Sequence, residues 1–209
     1  LQYCRQTSNK FFETHYNKFR YPSFGYTYLG YNLLDDKFKD KAVRQALNMA
    51  VDKEELIEGV LMGLGRVCTG PFVPESWAYN KEVCPPSFNP AEARNMLSEA
   101  GWRDSDKDGW LDKGGLLFEF TILTNQGNEQ RKLAAEIIQH RLKDIGVRVK
   151  IKVVEWSVFL TEFVNKKRFE AVLLGWGLSR DPDCYDIWHS SKTKEGEFNF
   201  ISYQQLKIL

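Results

Sequence analysis

Residues 116–176 decide the fold and read LLFEFTILTNQGNEQRKLAAEIIQHRLKDIGVRVKIKVVEWSVFLTEFVNKKRFEAVLLGW. Apolar runs at 116–124, 147–155 and 169–176 predict strands, and the second alternates as a strand with one buried face does. Between them, residues 129–145 and 158–165 have the apolar spacing of helices. The order β-α-β-α-β predicts an α/β lobe with right-handed crossovers, in which helices flank a central mixed sheet.

The residues before this stretch predict one more strand and three helices. Residues 24–34 are rich in aromatic side chains and predict a strand, and residues 41–51 have helical spacing. Asp52 followed by Glu55 forms a capping box that starts the next helix. Asn89 before a proline predicts the start of another helix, because asparagine caps helices well and proline fits the first helical position.

The composition is that of a globular protein and not that of a general nucleic-acid binder. The 209 residues include 29 Lys+Arg and 28 Asp+Glu, and 43% are hydrophobic. The net charge of +1 lacks the basic excess expected of a nucleic-acid-binding domain. The chain has no apolar run of the roughly 20 residues that span a bilayer. Cys68 and Cys84 flank one proline-rich stretch and either form a disulfide or pack as small apolar side chains.

An aspartate-rich loop resembles the first part of a calcium-binding loop. Carboxylates at the first, third, fifth and ninth positions and a carbonyl at the seventh would supply the ligands, namely Asp104, Asp106, Asp108, Asp112 and Trp110. The bidentate glutamate expected at position twelve is replaced by Gly115. The loop therefore predicts either a structural Ca²⁺ site or a solvated turn without an ion.

Acidic side chains, a histidine and two tryptophans follow the predicted strands. Asp181, Asp183 and His189 would suit a hydrolase, but no serine or cysteine stands in a nucleophile-elbow motif. Ligands of α/β sheets bind outside the carboxyl ends of the strands, where Trp156 and Trp176 lie. Their pattern alone does not separate packing in the core from an aromatic ligand cleft.

Several motifs in this order resemble family five of the extracellular solute-binding proteins, the oligopeptide- and dipeptide-binding components of ABC importers. The resemblance covers residues 24–203. It rests on VRQAL at 43–47, DKEELI at 52–57, TGPF at 69–72, NPAEAR at 89–94, the Asp/Gly loop, Trp156, and Gly-Trp at 175–176 with Asp-Pro-Asp at 181–183.

The resemblance implies one lobe of a two-lobed, periplasmic-binding-protein-like fold. Residues 1–35 would hold an N-terminal segment and the outgoing hinge strand. Residues 36–197 would form the second, ligand-closing lobe. Residues 198–209 would hold a truncated return strand, with Phe198 to Tyr203 crossing back.

The resemblance also implies which residues bind the ligand. Trp156 and Trp176 match tryptophans that line the family's cleft, and Asn125 matches an asparagine at its edge. Peptide-binding members carry an aspartate, which pairs with the ligand's ammonium group, where this chain has Ser179. An unpaired ammonium group in a closed cleft costs about 2–5 kcal/mol. Either Asp181, with Asp183 nearby, therefore takes that role, or the ligand is not an ordinary free peptide.

The resemblance implies a receptor that captures peptides or a related small solute, and not an enzyme. Its partners would be that ligand and the membrane permease of an ABC importer, and no nucleic acid. We expect a monomer at the periplasmic or extracellular face of the cytoplasmic membrane. No cofactor is required, although the Asp/Gly loop leaves a structural Ca²⁺ open. The alternatives are a calcium-stabilised interaction module and a hydrolase that uses Asp181, Asp183 and His189.

Overall fold

The computed structural model describes Gln2–Tyr3 and residues 21–204. In chain order the elements are β1 (Gln2–Tyr3), β2 (Gly25–Tyr31), α1 (Asp36–Lys39), α2 (Lys41–Met49), α3 (Lys53–Leu61), β3 (Gly65–Arg66), α4 (Pro90–Glu99), β4 (Asp112–Lys113), β5 (Leu116–Leu117), β6 (Glu119–Asn125), α5 (Glu129–Asp144), β7 (Arg148–Val154), α6 (Trp156–Val158), a π-helix (Phe159–Val164), β8 (Ala171–Gly177) and α7 (Tyr185–Trp188). What the sequence predicts for residues 1, 4–20 and 205–209 lies outside the described residues.

The central sheet is mixed and has four strands in the order β2-β8-β6-β7. Strand β6 runs parallel to β7 and to β8, whereas β2 runs antiparallel to β8. The helix α5 connects β6 to β7, and α6 with the π-helix connects β7 to β8. The predicted α/β architecture with helices around a central mixed sheet is therefore confirmed.

The predicted helix starts form, but the capping box does not close. Asn89 accepts a hydrogen bond from Glu92 N at 3.0 Å, and Asp52 accepts one from Glu55 N at 3.3 Å. The Glu55 carboxylate does not return to the cap. It pairs with Arg141 of α5 through two hydrogen bonds of 2.6 and 2.7 Å. The tertiary ion pair thus replaces the local contact that the sequence predicts.

Two predicted elements are interrupted in the structure. The strand expected at 116–124 breaks at Phe118, which is fully buried and stacks on Trp102 with ring centroids 4.3 Å apart. The helix expected at 158–165 is a short α-helix followed by a π-helix. In both places side-chain packing in the core overrides the regular local pattern.

The expected return strand also differs from the structure. Residues 198–203 form turns, and Ser202 has a left-handed φ of 60°. The fully buried Asn199 organises them: its Nδ2 donates to the carbonyl oxygens of His189 and Tyr203 at 3.1 and 2.8 Å. Its Oδ1 accepts from Tyr203 N at 2.9 Å. These side-chain contacts occupy the backbone groups that a strand would pair.

The sheet carries one apolar cluster on each face. On the helix-covered face, Phe120, Ile122, Ala171 and Leu173 pack against buried side chains of α2, α3, α4 and α5. On the opposite, aromatic face, the second cluster holds Leu123, Val172 and Leu174 with Phe159, Phe169 and Phe200. Because successive strand residues point to opposite faces, each strand contributes to both clusters.

The outgoing and returning segments meet at one lysine. Asn32, just after β2, donates from Nδ2 to Lys167 O at 3.1 Å. The Lys167 ammonium in turn donates to Asn199 O at 3.1 Å and to Ser202 Oγ at 2.9 Å. Burial lowers the pKa of Lys167. Backbone and side chain of one residue therefore hold both segments against the sheet.

The described residues contain no helix long and apolar enough to cross a membrane. Cys68 and Cys84 are not joined by a disulfide, and Cys84 is exposed. The alternative of two buried apolar cysteines is wrong for Cys84, because it lies in the irregular segment between β3 and α4.

Candidate functional site

The carboxyl edge of the central sheet brings together three residues expected to bind ligand. Asn125 ends β6 and is opposite Val154 of β7. Extending the β6–β8 register from Leu123 opposite Val172 places Asn125 level with Leu174. Trp176 lies two residues beyond Leu174 in β8, and Trp156 lies two residues beyond Val154, at the start of α6. Because β6 separates β7 from β8, the two tryptophans follow the strands on either side of the strand that ends at Asn125.

The Trp156 side chain is 44% exposed and lies outside the core. Its ring stacks on Phe159, with centroids 5.6 Å apart and planes inclined by 18°. The turn that carries it is capped by Glu155, whose carboxylate accepts from Ser157 N and Val158 N at 2.8 and 3.1 Å. These backbone N–H groups lower the pKa of Glu155. Packing in the core, one of the two readings of this tryptophan, is therefore excluded.

The Trp176 side chain is half-buried at the end of the aromatic face. It stacks on Phe200, with centroids 5.6 Å apart, and meets Phe198 edge-on at 5.7 Å. Its indole Nε1 is buried and makes no hydrogen bond within the described part of the chain. Burial raises the pKa of Tyr28 to about 12, an effect opposed by the nearby Trp176 N–H and Arg131 guanidinium.

Arg131 joins this edge although the sequence analysis does not single it out. Its Nη1 donates to Asn125 Oδ1 at 2.6 Å, and its backbone N donates to the helix-capping Asn128 at 2.9 Å. A Cβ placed on Gly175 would lie 3.2 Å from its Nη2. The position three residues past a helix cap is the only sequence signal for this arginine, and it does not predict the contact with Asn125.

The side chains of Ser179, Asp181 and Asp183 each bind the backbone two residues further along the chain, in an exposed turn. Ser179 Oγ donates to Asp181 O at 2.7 Å, and Asp181 Oδ1 accepts from Asp183 N at 3.1 Å. Asp183 Oδ1 accepts from Tyr185 N at 2.9 Å, at the start of α7. These three predicted site residues therefore shape the loop that follows β8.

His189 is held by its own neighbours. Its Nδ1 lies 2.8 Å from Ser191 Oγ and accepts from Ser191 N at 3.2 Å, and its ring stacks on Tyr185 at 4.3 Å. Within the described residues, the recorded hydrogen bonds of Asp181 and Asp183 go to the backbone and not to this imidazole. The geometry thus lacks the acid–histidine pair that the hydrolase alternative needs.

The Asp/Gly loop keeps three of its five expected calcium ligands together. Carboxylate oxygens of Asp104, Asp106 and Asp108 lie within 4.8 Å of one another. The carboxylate of Asp112 is outside this group, because it accepts from Ser105 N and Oγ at 2.9 and 2.6 Å. These bonds, the side-chain one first, lower the pKa of Asp112. Trp110 N donates to Asp108 Oδ1 at 2.8 Å.

A separate groove of about 650 Å³ follows β2. It is lined by apolar side chains of β2, α2, α3 and α5, with Tyr31, Leu47 and Ile138 among them. Its lining does not include Asn125, Trp156 or Trp176. These three candidate ligand-binding residues therefore do not line the groove.

Comparison with known protein families shows which family the chain belongs to. The model of the bacterial extracellular solute-binding proteins, family 5 (middle region), matches residues 5–198. The chain belongs to this family. Its resemblance in sequence to family five is thereby confirmed over most of its length.

Relatives and solved structures agree with this membership. The oligopeptide-binding protein AppA of Bacillus subtilis is 47% identical over 183 residues, which cover 86% of this chain and 33% of AppA. Its structure with a nonapeptide superposes with a TM-score of 0.82 at 45% identity, over 88% of this chain and 37% of that one. The structure of NikZ from Campylobacter jejuni with Ni(L-His) has a TM-score of 0.79 at 32% identity, over 88% and 37%.

A dipeptide-binding protein of Pseudomonas aeruginosa is 31% identical over 167 residues, which cover 78% of this chain and 29% of that protein. The chain thus spans about a third of the length of the curated relatives it matches. These relatives are named as binding proteins, and none of their names describes an enzyme.

Proposed function

We propose that this chain is the second lobe of the substrate-binding protein of an ABC importer, which captures peptides or a related small solute. One observation carries the proposal: Trp156 follows β7 and Trp176 lies near the end of β8, the two strands that flank the strand of Asn125, at the edge where α/β sheets bind ligands. The chain's family and the nonapeptide bound by AppA support the same ligand class. Residues 1–35 and 198–209 would connect this lobe to the other.

Capture without turnover follows from the chemistry at this edge. Aromatic rings offer contact that tolerates many side chains, and an amide offers a hydrogen bond. Closure of a second lobe over the edge would exclude water and shift an existing open–closed equilibrium. The receptor would act as a monomer outside the cytoplasmic membrane and deliver its ligand to the importer's permease.

The charge at the edge constrains the ligand. Ser179 stands where a carboxylate would pair with a ligand ammonium group, and Asp181 already accepts from Asp183 N. A free amino terminus near Trp176 would therefore rely on the other lobe for its counter-charge. We expect ligands whose amino terminus is blocked to bind at least as well as free peptides of the same sequence.

The test is native mass spectrometry of the full-length receptor purified from its host, which reveals the masses of ligands that co-purify. Trp156→Ala and Trp176→Ala should each lower the occupied fraction severalfold. Trp77→Ala is the matched control, because Trp77 is 83% exposed and lies between β3 and α4, away from the edge. Equal occupancy in all three variants would refute the proposal.

The 209-residue chain alone should bind peptides weakly or not at all, because half of the cleft would be missing. Isothermal titration calorimetry with a nonapeptide measures this directly. Micromolar affinity of the isolated chain would contradict the division of the site between two lobes.

Calcium binding by the Asp/Gly loop stays a prediction of a structural role. The proximity of the carboxylates of Asp104, Asp106 and Asp108 favours it, since three negative charges this close repel one another without a cation. Millimolar Ca²⁺ should raise the melting temperature relative to EDTA, because an ion that binds only the folded state stabilises it. Asp106→Asn should reduce the shift, and no shift in the unsubstituted chain would exclude the site.

A further inference from the structure

The orientation of the Asn125 side-chain amide is set at both ends. Its Oδ1 accepts from Arg131 Nη1 at 2.6 Å, and its Nδ2 donates to Gln126 O at 2.9 Å. A guanidinium group can only donate hydrogen bonds, and a carbonyl oxygen can only accept them. Turning the amide over would set donor against donor and acceptor against acceptor. The chemistry of both partners therefore requires the same orientation.

Arg131 is itself held in place. Its backbone N donates to the side chain of Asn128, which caps α5, and its Nη2 lies beside Gly175 of β8, 3.2 Å from where a Cβ on that glycine would stand. The side chain of Arg131 thus extends from the first turn of α5 and brings its guanidinium group to the carboxyl ends of β6 and β8. A charge-assisted hydrogen bond at 2.6 Å fixes the Asn125 oxygen more firmly than a neutral one would.

We propose that Arg131 is a positioning residue that makes Asn125 present a hydrogen-bond donor, the second N–H of its Nδ2, to the ligand. The group recognised between the two tryptophans is then an acceptor, a carbonyl or carboxylate oxygen, and not an ammonium or amide N–H. This rests on the proposed function, because it takes the carboxyl edge of the sheet as the ligand cleft.

The lack of an acidic residue at position 179 agrees with a ligand group that accepts hydrogen bonds. A donor from Asn125 and the nearby Arg131 charge both favour an electronegative ligand group, whereas Ser179 replaces the acid that would favour an ammonium. The backbone of an extended peptide offers such an oxygen at every residue. Recognition through it would not depend on the peptide's sequence.

Three variants of the full-length receptor test the proposal. Each is mixed with random nonapeptides, and native mass spectrometry measures the fraction of the receptor that retains a peptide. The melting temperature of each variant is measured as well. Asn125→Asp keeps an acceptor for Arg131 but removes the donor, and should weaken binding by about tenfold or more. Arg131→Met frees the amide to rotate and should weaken binding severalfold. Arg131→Lys keeps a donor-only partner and should stay within about twofold of the unsubstituted receptor.

Unchanged affinity in Asn125→Asp at an unchanged melting temperature would overturn the donor role of Asn125. Equal losses in Arg131→Met and Arg131→Lys would overturn positioning through the amide, because a donor at residue 131 would not then matter. If Asn125→Asp fails to fold, the comparison of the two Arg131 variants still decides. Failure of the unsubstituted receptor to retain any peptide would refute the proposed function itself, and this inference with it.

Discussion

The two faces of the central sheet differ in how far they are covered. On the helix-covered face, Phe120 and Ile122 are fully buried beneath helices that follow one another along the chain. The aromatic face is closed by the π-helix and by residues 198–203, and it extends to Trp176 and the exposed Trp156. Neighbouring residues of one strand thus serve stability on one side and an accessible edge on the other.

The largest effect should come from the helix-covered face. Phe120→Ala should lower the free energy of unfolding by about 3–5 kcal/mol. The substitution removes a buried ring that packs against Phe38 and Tyr31, and it leaves an apolar cavity that the surrounding side chains close only in part. Urea denaturation measures the loss. Val153→Ala, at a 41% exposed position of the same sheet, is the control and should cost under about 1 kcal/mol.

The buried polar contacts behind the aromatic face should matter next. Asn199→Ala should cost about 2 kcal/mol, because it leaves the carbonyls of His189 and Tyr203 without their donor. Asn80→Ala removes the hydrogen bond that Asn80 Oδ1 accepts from Glu82 N in an exposed turn, and should change the free energy of unfolding by less than about 0.5 kcal/mol. If the two variants unfold at the same urea concentration, the residues 198–203 do not depend on Asn199.

A smaller, pH-dependent effect should appear above the helix-covered face. The Arg141 guanidinium lowers the pKa of Glu55 below its ordinary value near 4.5, so the pair stabilises the fold at neutral pH and the effect is lost as the pH falls through the pKa of the folded state. Glu55→Gln should therefore cost about 0.5–1 kcal/mol at pH 7, since both groups are partly exposed.

The control for this prediction is Glu54→Gln at the exposed neighbouring position. The stability difference between the unsubstituted chain and Glu55→Gln should vanish once the pH is below the pKa of Glu55 in the folded state, where the carboxyl group is protonated in both states. A difference that persists at that pH would mean that packing, and not charge, links α3 to α5.

The smallest effect should come from the aromatic face's exposed end. Trp156→Ala should change the free energy of unfolding by less than about 1 kcal/mol, because the ring is 44% exposed and its removal ends a single ring stack, on Phe159. The buried Trp102, stacked on Phe118, is the contrasting position, and its replacement by alanine should cost about 3 kcal/mol or more. Similar losses at both tryptophans would remove the distinction between the two faces.

Local signals in the sequence predict much of this fold. The caps at Asp52 and Asn89 and the βαβαβ order depend on neighbouring residues, and they form as expected. The contacts that differ from the prediction involve residues far apart in the sequence. Glu55, for example, pairs with Arg141, which lies 86 residues further along the chain. The π-helix depends in the same way on packing that no local spacing reveals.

The candidate site was predictable to a similar extent. The placement of Trp156, Trp176 and Asn125 at one edge follows from the parallel direction of the three strands, which the βαβαβ pattern predicts. Arg131 could not be found, because it lies six positions beyond Asn125 and only the folded turn brings the two side chains together. Asp112 has the spacing of a calcium ligand, and the sequence did not predict that Ser105 would bind its carboxylate.

The antiparallel pairing of β2 with β8 also has a kinetic consequence. Tyr31 pairs with Ala171, whereas Glu119 of β6 pairs with Arg148, so β2 must close a far longer stretch of chain than β7. Closing a longer loop costs more entropy before any contact forms. We therefore expect the β6–α5–β7 unit to assemble early and β2 to dock late, although β2 comes first in the chain. Pulse-labelled hydrogen exchange during refolding, with the amide of Ile122 protected before that of Gly30, whose partner in β8 is Val172, would show this order.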